Sequence, residues 1–273
     1  MSTQRVQILY ADVDGTMVGP LGNLLWDSDR NPTVAAAEAL VLAAREGLEV
    51  VALTGRTRAA MFEFARVLGL QSWICELGGI RIYDRGETVV HEHGDFPGGG
   101  VPTAELHRAV DLLLEAYPGR LEDHSPWNAS RESSFLLRGE VSTEDAEERL
   151  AAAGFGWATL VDNGVILRRF ETLAGVDRVR VYHLLPRGVS KVAAVAADRA
   201  YRGLRREESA LVGDAAADME CRSEVGRCFL VRNGLEKDPS LAWVLEPDSG
   251  VEVTKATHGE GFAEVVHQLL DDR

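Results

Sequence analysis

The sequence contains few cysteines and no long apolar run. Its three cysteines, Cys75, Cys221 and Cys228, include no CxxC pair, so neither a disulfide framework nor a zinc site is indicated. No apolar stretch approaches the ~20 residues that a membrane-spanning helix needs. The amino terminus also lacks the basic and then apolar pattern of a signal peptide. We therefore expect reduced thiols, a cytoplasmic location and no membrane partner.

Positive charge is also scarce. Lysine and arginine number 29 against 43 aspartates and glutamates, which gives a formal net charge of −14 and a pI near 5.0. Such a chain repels a phosphate backbone, so the composition argues against nucleic acid as a partner. The 273 residues, 45% of them hydrophobic, suffice for one large domain or two of moderate size. The composition leaves the oligomeric state open.

Two carboxylates follow the first apolar segment of the chain. The run from Val6 to Ala11 is short and rich in strand-forming residues, which predicts a buried strand. Asp12 and Asp14 come directly after it, and Gly15 allows a sharp turn of the backbone. Ligands of open α/β sheets bind at the carboxyl ends of the strands. Two acidic groups there would repel each other unless a hard cation such as Mg²⁺ binds them; an acidic surface loop is the alternative.

The next segments alternate between helical and strand patterns. Asn31–Glu46 is a predicted helix with proline in its first turn, and Leu48–Leu53 is a second apolar strand. This order predicts a βαβ unit in a parallel sheet and therefore an α/β fold. Thr54 and Gly55 follow the second strand. The Thr54 hydroxyl can cap the local turn, or it can hold a phosphoryl oxygen together with neighbouring amides.

The middle of the chain has a different pattern. Residues 94–102 contain three consecutive glycines and a proline, which predicts a linker. Further on, Asn163-Gly164 predicts a hairpin turn between strands at 157–161 and 165–170. Helical segments around them complete an α+β pattern with a mainly antiparallel sheet. The predicted domains are a core of residues 1–90 and 185–273 and an insert of residues 91–184.

A lysine and two more carboxylates stand out in the last third of the chain. Lys191 lies in the first turn of a predicted helix, where a cation opposes the helix dipole; this indicates an anion nearby, and an ordinary exposed lysine is the alternative. The short apolar strand Ala210–Val212 ends just before Asp214. Asp218 follows one helical turn later and shares a face with Asp214 if a helix begins there.

Four segments together resemble the motifs of the haloacid dehalogenase superfamily. They are, in chain order, Asp12-Val13-Asp14-Gly15-Thr16, Leu53-Thr54-Gly55-Arg56, Lys191 with the preceding Pro186–Ser190, and Gly213-Asp214 with Asp218. The resemblance implies a Rossmann-like core with a parallel sheet. The insert is similar in placement and size to the α+β cap domain of subfamily IIB. That branch includes Cof-type phosphatases, sucrose phosphatase and mannosyl-3-phosphoglycerate phosphatase.

The resemblance implies a magnesium-dependent phosphatase. Asp12 would be the nucleophile that forms an aspartyl-phosphate, and Asp14 would protonate the leaving alcohol and then activate water. Thr54, Gly55 and Lys191 would hold the phosphoryl group. The implied magnesium ligands are Asp12, the Asp14 backbone carbonyl and Asp214, with Asp218 in support.

The resemblance also places substrate recognition in the insert. It implies a small phosphorylated metabolite as the substrate, such as a sugar phosphate or a phosphorylated glycoside like mannosyl-3-phosphoglycerate. Arg131 resembles a cap position that contacts anionic sugar phosphates in some relatives. A solvated arginine without such a contact is the alternative.

Two departures from the motifs keep other functions open. Leu77 stands where relatives commonly have asparagine, and Ala217 stands where they often have asparagine before the second aspartate of the last motif. A sugar-phosphate-binding protein with weakened turnover is therefore one alternative. A phosphomutase is another, because it could share every catalytic residue. A dehalogenase needs no acid at the position of Asp14, so that residue favours phosphate chemistry.

Overall fold

Two sheets organise the chain in the computed structural model, which describes residues 5–166 and 168–272. The strands are β1 (Ile8–Ala11), β2 (Glu49–Leu53), β3 (Trp73–Cys75), β4 (Ile80–Tyr83), β5 (Thr88–His91), β6 (Leu121–Asp123), β7 (Phe135–Gly139), β8 (Ala158–Val165), β9 (Arg180–Pro186), β10 (Ser209–Gly213), β11 (Arg227–Leu230) and β12 (Val251–Val253). The α-helices are α1 (Ala35–Arg45), α2 (Arg58–Leu68), α3 (Thr103–Ala116), α4 (Thr143–Ala152), α5 (Lys191–Arg202), α6 (Ala216–Met219), α7 (Arg232–Lys237) and α8 (His258–Asp271).

The larger sheet has eight strands in the order β12-β11-β10-β1-β2-β3-β4-β5. The strands from β12 to β3 are parallel, and β4 runs antiparallel to β3. Leu9 and Ala11 of β1 belong to an apolar cluster with residues of α1 and α8, whereas Ile8 and Tyr10 belong to another with residues of α5. Because both faces are covered, the central strands are continuous apolar runs. The predicted parallel-sheet α/β core is confirmed.

The smaller sheet has four antiparallel strands in the order β6-β7-β9-β8. One of its faces packs against α3 and α4. Leu113 of α3 and Leu150 of α4 share a buried cluster with Leu137 and Leu184 of the sheet. Along β8, Ala158 and Leu160 are buried while Thr159 and Val161 are partly exposed, which is what a sheet with one covered face requires. The predicted inserted α+β domain is confirmed as a fold.

The chain contacts divide the molecule into two compact units. The first comprises residues up to Arg56, Ala60–Val90 and the chain from Ser190 onward, and it contains the larger sheet. The second comprises Thr57–Ala59 and His91–Val189, and it contains the smaller sheet. We call the first unit the core and the second the insert. A role of the insert in substrate recognition stays a prediction.

One predicted helix begins later than expected. α1 starts at Ala35 and not at Asn31. Pro32 instead forms an antiparallel bridge with Trp26, which closes the loop after β1. The Asp27 carboxylate accepts the backbone and side-chain N–H groups of Asn31 at 2.8 and 3.0 Å. The prediction was wrong because asparagine followed by proline suits a tight loop as well as a helix start.

The predicted hairpin at Asn163-Gly164 is also wrong. β8 continues through these residues, and β9 pairs with it on both sides, with an irregular register between Asp162 and Val165. The Gly164 N–H donates to Asp162 Oδ1 at 2.8 Å, and Gly164 has φ +94°. This is a bulge rather than a hairpin turn. Bulges, like such turns, often contain a glycine in the left-handed conformation. Ile166 and residues 168–170 form no strand, and Leu167 lies outside the described residues.

Two further predictions concern the whole chain. The three cysteines are free thiols, and all are buried. Within residues 5–166 and 168–272, no helix is both long enough and apolar enough to cross a membrane.

Candidate active site

Polar residues follow three neighbouring strands at one edge of the larger sheet. Asp12 comes after β1, and its N–H donates to the carbonyl of Val212 in β10 at 2.9 Å. Asp214 follows β10 on one side of β1, and Thr54 follows β2 on the other. Parallel strands bring their carboxyl ends to the same edge, so residues far apart in sequence meet there. The structure therefore brings these predicted site residues together.

Three carboxylates form a buried cluster at this edge. Oxygens of Asp12, Asp214 and Asp218 all lie within 4.8 Å of one another. Asp218 is held by the turn that precedes α6, because its Oδ2 accepts the N–H groups of Asp214 and Ala215 at 3.2 and 3.1 Å. Each of the three side chains is almost fully enclosed. Such burial is costly for carboxylates unless positive charge compensates them.

Lys191 supplies part of that positive charge. Its Nζ lies 2.7 Å from Asp12 Oδ1 and 2.7 Å from Asp218 Oδ1, and the residue is only 6% exposed. It is the first residue of α5, and the Ser190 Oγ before it accepts the Ala193 N–H at 3.1 Å. The sequence indicated an anion near this lysine. The anions in the structure are the two carboxylates.

The pKa values of the cluster reflect burial first and the neighbouring charges second. Burial raises the pKa of Asp12 well above its usual range; Lys191 opposes this effect, while Asp218 and Asp214 add to it. Burial also raises the pKa of Asp214 to about 6, against an opposing contribution from Lys237. For Lys191, burial alone would lower the pKa, but Asp12 and Asp218 outweigh it and raise the pKa above the ordinary value. The site is therefore short of positive charge.

The donor set fits a divalent cation. Three carboxylates and one ammonium group leave two uncompensated negative charges within a small volume, and oxygen ligands suit Mg²⁺. The turn after β1 also packs closely on the cluster. Gly15 has φ +89°, and a β-carbon there would lie 2.4 Å from Asp214 Oδ2. Asp12, Asp214 and Asp218 are the side chains that could hold the ion.

Asp14 lies in a different environment from the cluster. Its side chain is 55% exposed and forms a two-pronged ion pair with Arg56. Arg56 Nε donates to Oδ2 at 2.8 Å and Nη2 donates to Oδ1 at 2.6 Å. The Asp14 carboxylate is thus not among the side chains that could hold the metal. A metal contact through its backbone carbonyl stays a prediction.

Thr54 and Gly55 form the turn between β2 and α2. The Thr54 Oγ1 accepts the Arg56 N–H at 3.1 Å, so the capping function exists in the structure. The Thr54 carbonyl accepts the N–H of Leu77 at 3.1 Å, which fixes the turn from the other side. A hydroxyl can accept one hydrogen bond and donate another. The local bond is therefore compatible with phosphate binding by Thr54 and Gly55, which stays a prediction.

The sequence analysis missed two residues that support the site. Asn233 Nδ2 donates to the Gly15 carbonyl at 2.8 Å, and its Oδ1 accepts the His258 N–H at 2.8 Å. Lys237 places its Nζ 3.5 Å from Asp214 Oδ2, although its side chain is 64% exposed. Both lie in α7, which directly follows β11. The sequence signal that could have identified them is their position after a buried strand. The other polar residues of the site also follow buried strands at the same edge of the sheet.

The two departures from the family motifs lie close to the site. Leu77 is buried, has φ 56° and donates its N–H to the Thr54 carbonyl. The apolar Leu77 side chain cannot supply the amide that the resemblance associates with this position. Ala217 precedes Asp218 in α6 and adds no polar side chain. Among the side chains, an ion bound at this cluster would therefore rely on the three carboxylates.

Arg131 is buried within the insert. Its Nε donates to the Trp127 carbonyl at 3.0 Å, and its Nη1 donates to Ser134 Oγ at 2.8 Å. These bonds brace the loop between β6 and β7. A contact between Arg131 and a substrate stays a prediction.

The comparisons with known proteins concern the whole chain. No protein-family model and no curated protein matches the sequence. A solved structure from Thermoplasma acidophilum has a TM-score of 0.67 at 18% identity, covering 97% of this chain and 99% of that one. A haloacid dehalogenase-like hydrolase from Bacteroides thetaiotaomicron has a TM-score of 0.67 at 15% identity, covering 97% and 100%.

A third similar structure is a sucrose-phosphatase from Synechocystis, solved in complex with sucrose and phosphate. Its TM-score is 0.64 at 16% identity, and the match covers 97% of this chain and 98% of that chain. At these identities the likeness concerns the fold. The chain therefore has the fold of the haloacid dehalogenase-like hydrolases, with a parallel-sheet core and an inserted α+β domain.

Proposed function

We propose that this protein is a phosphatase that hydrolyses a small phosphorylated metabolite with Mg²⁺ as its cofactor. The observation that carries the proposal is the buried Asp12 carboxylate, paired with Lys191 at 2.7 Å and clustered with Asp214 and Asp218. A nucleophilic carboxylate must be ionised, and a phosphoryl acceptor must be surrounded by positive charge. A lysine and a cation-binding cluster beside one aspartate meet both requirements.

The reaction follows from two aspartates with different environments. An Asp12 oxygen attacks phosphorus and the ester P–O bond breaks, while Asp14 gives a proton to the departing alcohol oxygen. Water then attacks the aspartyl-phosphate, Asp14 takes a proton from it, and inorganic phosphate leaves with Asp12 restored. Bound Mg²⁺ would supply positive charge for the phosphoryl oxygens. Asp14 is the exposed member of the pair, so solvent water can reach its carboxylate.

Charge accounts for the expected need for a metal ion. A phosphate monoester brings further negative charge to a site where three carboxylates face one lysine. Lys191 is held between Asp12 and Asp218, and Thr54 and Gly55 would add hydrogen bonds from the neighbouring turn. These groups alone leave the charge unbalanced. A divalent cation would bring the site close to neutrality before the substrate binds.

The proposed substrate is a sugar phosphate or a phosphorylated glycoside, with mannosyl-3-phosphoglycerate as one example. The support is the shared fold with a sucrose-phosphatase that was solved with sucrose and phosphate. Recognition by Arg131 is part of this proposal. A cytoplasmic location is also part of it, and the three free buried cysteines support a reducing compartment.

Two departures from the family motifs favour a second candidate function. Leu77 places an apolar side chain beside the Thr54 turn, and Ala217 adds no ligand to the carboxylate cluster. A protein with these features could bind a sugar phosphate and turn it over slowly. A phosphomutase would use the same residues but pass the phosphoryl group to a sugar.

A panel of phosphorylated metabolites tests the proposal. Purified protein is incubated with each compound in Mg²⁺ or in chelator, and released phosphate is measured. We expect phosphate release from at least one sugar phosphate in Mg²⁺ and none in chelator. Binding of a compound without release would favour the weakened protein, and transfer to a second sugar without free phosphate would favour the mutase.

A further inference from the structure

Arg56 forms the most specific contact that the Asp14 carboxylate makes. The two donors of its guanidinium fork reach both carboxylate oxygens, at 2.8 and 2.6 Å. A two-pronged pair of this kind fixes the plane of the carboxylate as well as its distance. Exposed ion pairs contribute little to stability, and Asp14 is 55% exposed. The geometry therefore points to orientation rather than to stability as the consequence of this pair.

Arg56 is itself held by contacts of its side chain and of its backbone. Its guanidinium lies 5.1 Å from the centre of the Phe64 ring. Its backbone N–H donates to Thr54 Oγ1 at 3.1 Å, and its carbonyl accepts the Glu76 N–H at 3.0 Å. The arginine is thus anchored on the turn that carries Thr54. A side chain anchored in this way can impose a position on its partner.

The loop between β1 and α1 passes close to both Arg56 and Asp14. Gly22 has φ +74°, and a β-carbon there would lie 3.1 Å from Arg56 Nη2 and 3.6 Å from Asp14 Oδ1. The loop backbone therefore approaches the guanidinium and the carboxylate together. Glycine leaves space for that approach, and its conformation is one that other residues rarely adopt. The loop, Arg56 and Asp14 therefore pack together within the core.

We propose that Arg56 is a positioning residue that holds the Asp14 carboxylate in the orientation from which it transfers protons. The proposal deepens the phosphatase function and rests on it, because it assumes that Asp14 is the acid and base of that reaction. A reacting carboxylate displaced by about 1 Å loses roughly 100-fold in rate. Lysine cannot replace Arg56, since its single ammonium cannot contact both oxygens in one plane.

Kinetics of Arg56→Lys and Arg56→Gln test the proposal. With p-nitrophenyl phosphate and Mg²⁺, we expect kcat to fall about 10- to 100-fold in both variants while KM changes less than about twofold. The fall should be larger for an alkyl phosphate such as glycerol phosphate, because an alkoxide needs a proton more than nitrophenolate does. Arg66→Lys is the matched control, since Arg66 forms an exposed pair with Glu63 on α2.

Other kinetic outcomes would overturn the proposal. A rise in KM with unchanged kcat would make Arg56 a substrate ligand. A full rescue by lysine would show that charge alone matters. An equal effect of Arg66→Lys would show that the loss is a general effect of altered surface charge.

A second measurement does not depend on turnover. In ¹⁵N-arginine spectra of the whole protein, the Arg56 Nε–H signal, assigned by its absence in Arg56→Lys, should exchange slowly with water. Asp14→Asn should shift this signal and speed its exchange, while the Arg66 signal stays unchanged. An Arg56 signal that is insensitive to Asp14→Asn would overturn the positioning. A wild-type protein that shows this coupling but hydrolyses no phosphate would instead contradict the proposed function.

Discussion

Asp12 and Asp14 are two residues apart, yet their environments are opposite. Asp12 is buried against Lys191, whereas Asp14 reaches the surface and pairs with Arg56. β1 ends at Ala11, and both aspartates lie in the turn that follows it. A nucleophile benefits from a desolvated, charge-paired site, and an acid and base benefits from access to water. This division suits the pair to the proposed covalent hydrolysis of a phosphate ester.

The raised pKa of Asp214 predicts how the metal-free protein responds to pH. The pKa rises from 3.8 in the unfolded chain to about 6 in the fold, so between these values the folded state binds more protons. The free energy of unfolding should therefore fall as pH rises from about 4 to 6, by roughly 3 kcal/mol from this group. Urea unfolding in chelator at several pH values measures it.

Asp214→Asn is the control for this pH dependence. The variant lacks this titrating group and should lose the part of the decline that Asp214 contributes, while the raised pKa of Asp12 leaves the rest. A variant with the same pH profile as the wild type would show that Asp214 is not held in a desolvated, charge-rich site.

At the scale of the element, the turn after β1 is the part on which the site depends most. Gly15 brings this turn against Asp214, and Asn233 from α7 binds its carbonyl at 2.8 Å. β1 lies between β10 and β2, so its carboxyl end receives residues from both neighbours. A change in this one turn should therefore disturb the whole carboxylate cluster of Asp12, Asp214 and Asp218.

Gly15→Ala tests the importance of this turn. The new methyl group would collide with the Asp214 carboxylate in a backbone conformation that alanine disfavours. We expect the free energy of unfolding to fall by more than about 2 kcal/mol. Gly250→Ala is the matched control, because Gly250 has φ +70° but nothing within 4 Å of its would-be β-carbon. Equal losses in the two variants would mean that contact with Asp214 is unimportant.

At the scale of the whole molecule, the sequence predicted the core fold well. Apolar strands that alternate with helices specify a parallel sheet, and the carboxyl-edge rule then places Asp12, Thr54 and Asp214 together. Because these patterns are local, they can be recognised in a single sequence. The two-domain pattern was visible in the same way, from the glycine-rich segment and the change in periodicity.

What the sequence could not predict depends on contacts between distant residues. The Arg56–Asp14 pair joins residues 42 positions apart, and Asn233 and Gly15 are 218 apart. No spacing rule links such partners. The errors at Asn31 and Asn163 have a different cause, because the same residue types serve caps, turns and bulges, and tertiary pairing decides among them.

Magnesium should stabilise the folded protein as a whole. An ion that binds only the folded cluster adds about 2.7 kcal/mol at a concentration 100 times its Kd. The melting temperature should therefore be higher in Mg²⁺ than in chelator. Asp214→Asn should remove most of the difference. An equal rise in the variant would place the stabilising ion elsewhere.

The account depends most on Asp12 as the covalent nucleophile, and Asp12→Asn tests this directly. The substitution keeps the shape of the side chain and removes its charge. Hydrolysis of p-nitrophenyl phosphate in Mg²⁺ is measured for the wild type and the variant, together with their melting curves. We expect activity below about 1% of wild type, with a melting temperature that is not lowered, since the buried charge is gone. Activity of several per cent or more in a fully folded variant would contradict the aspartyl-phosphate mechanism.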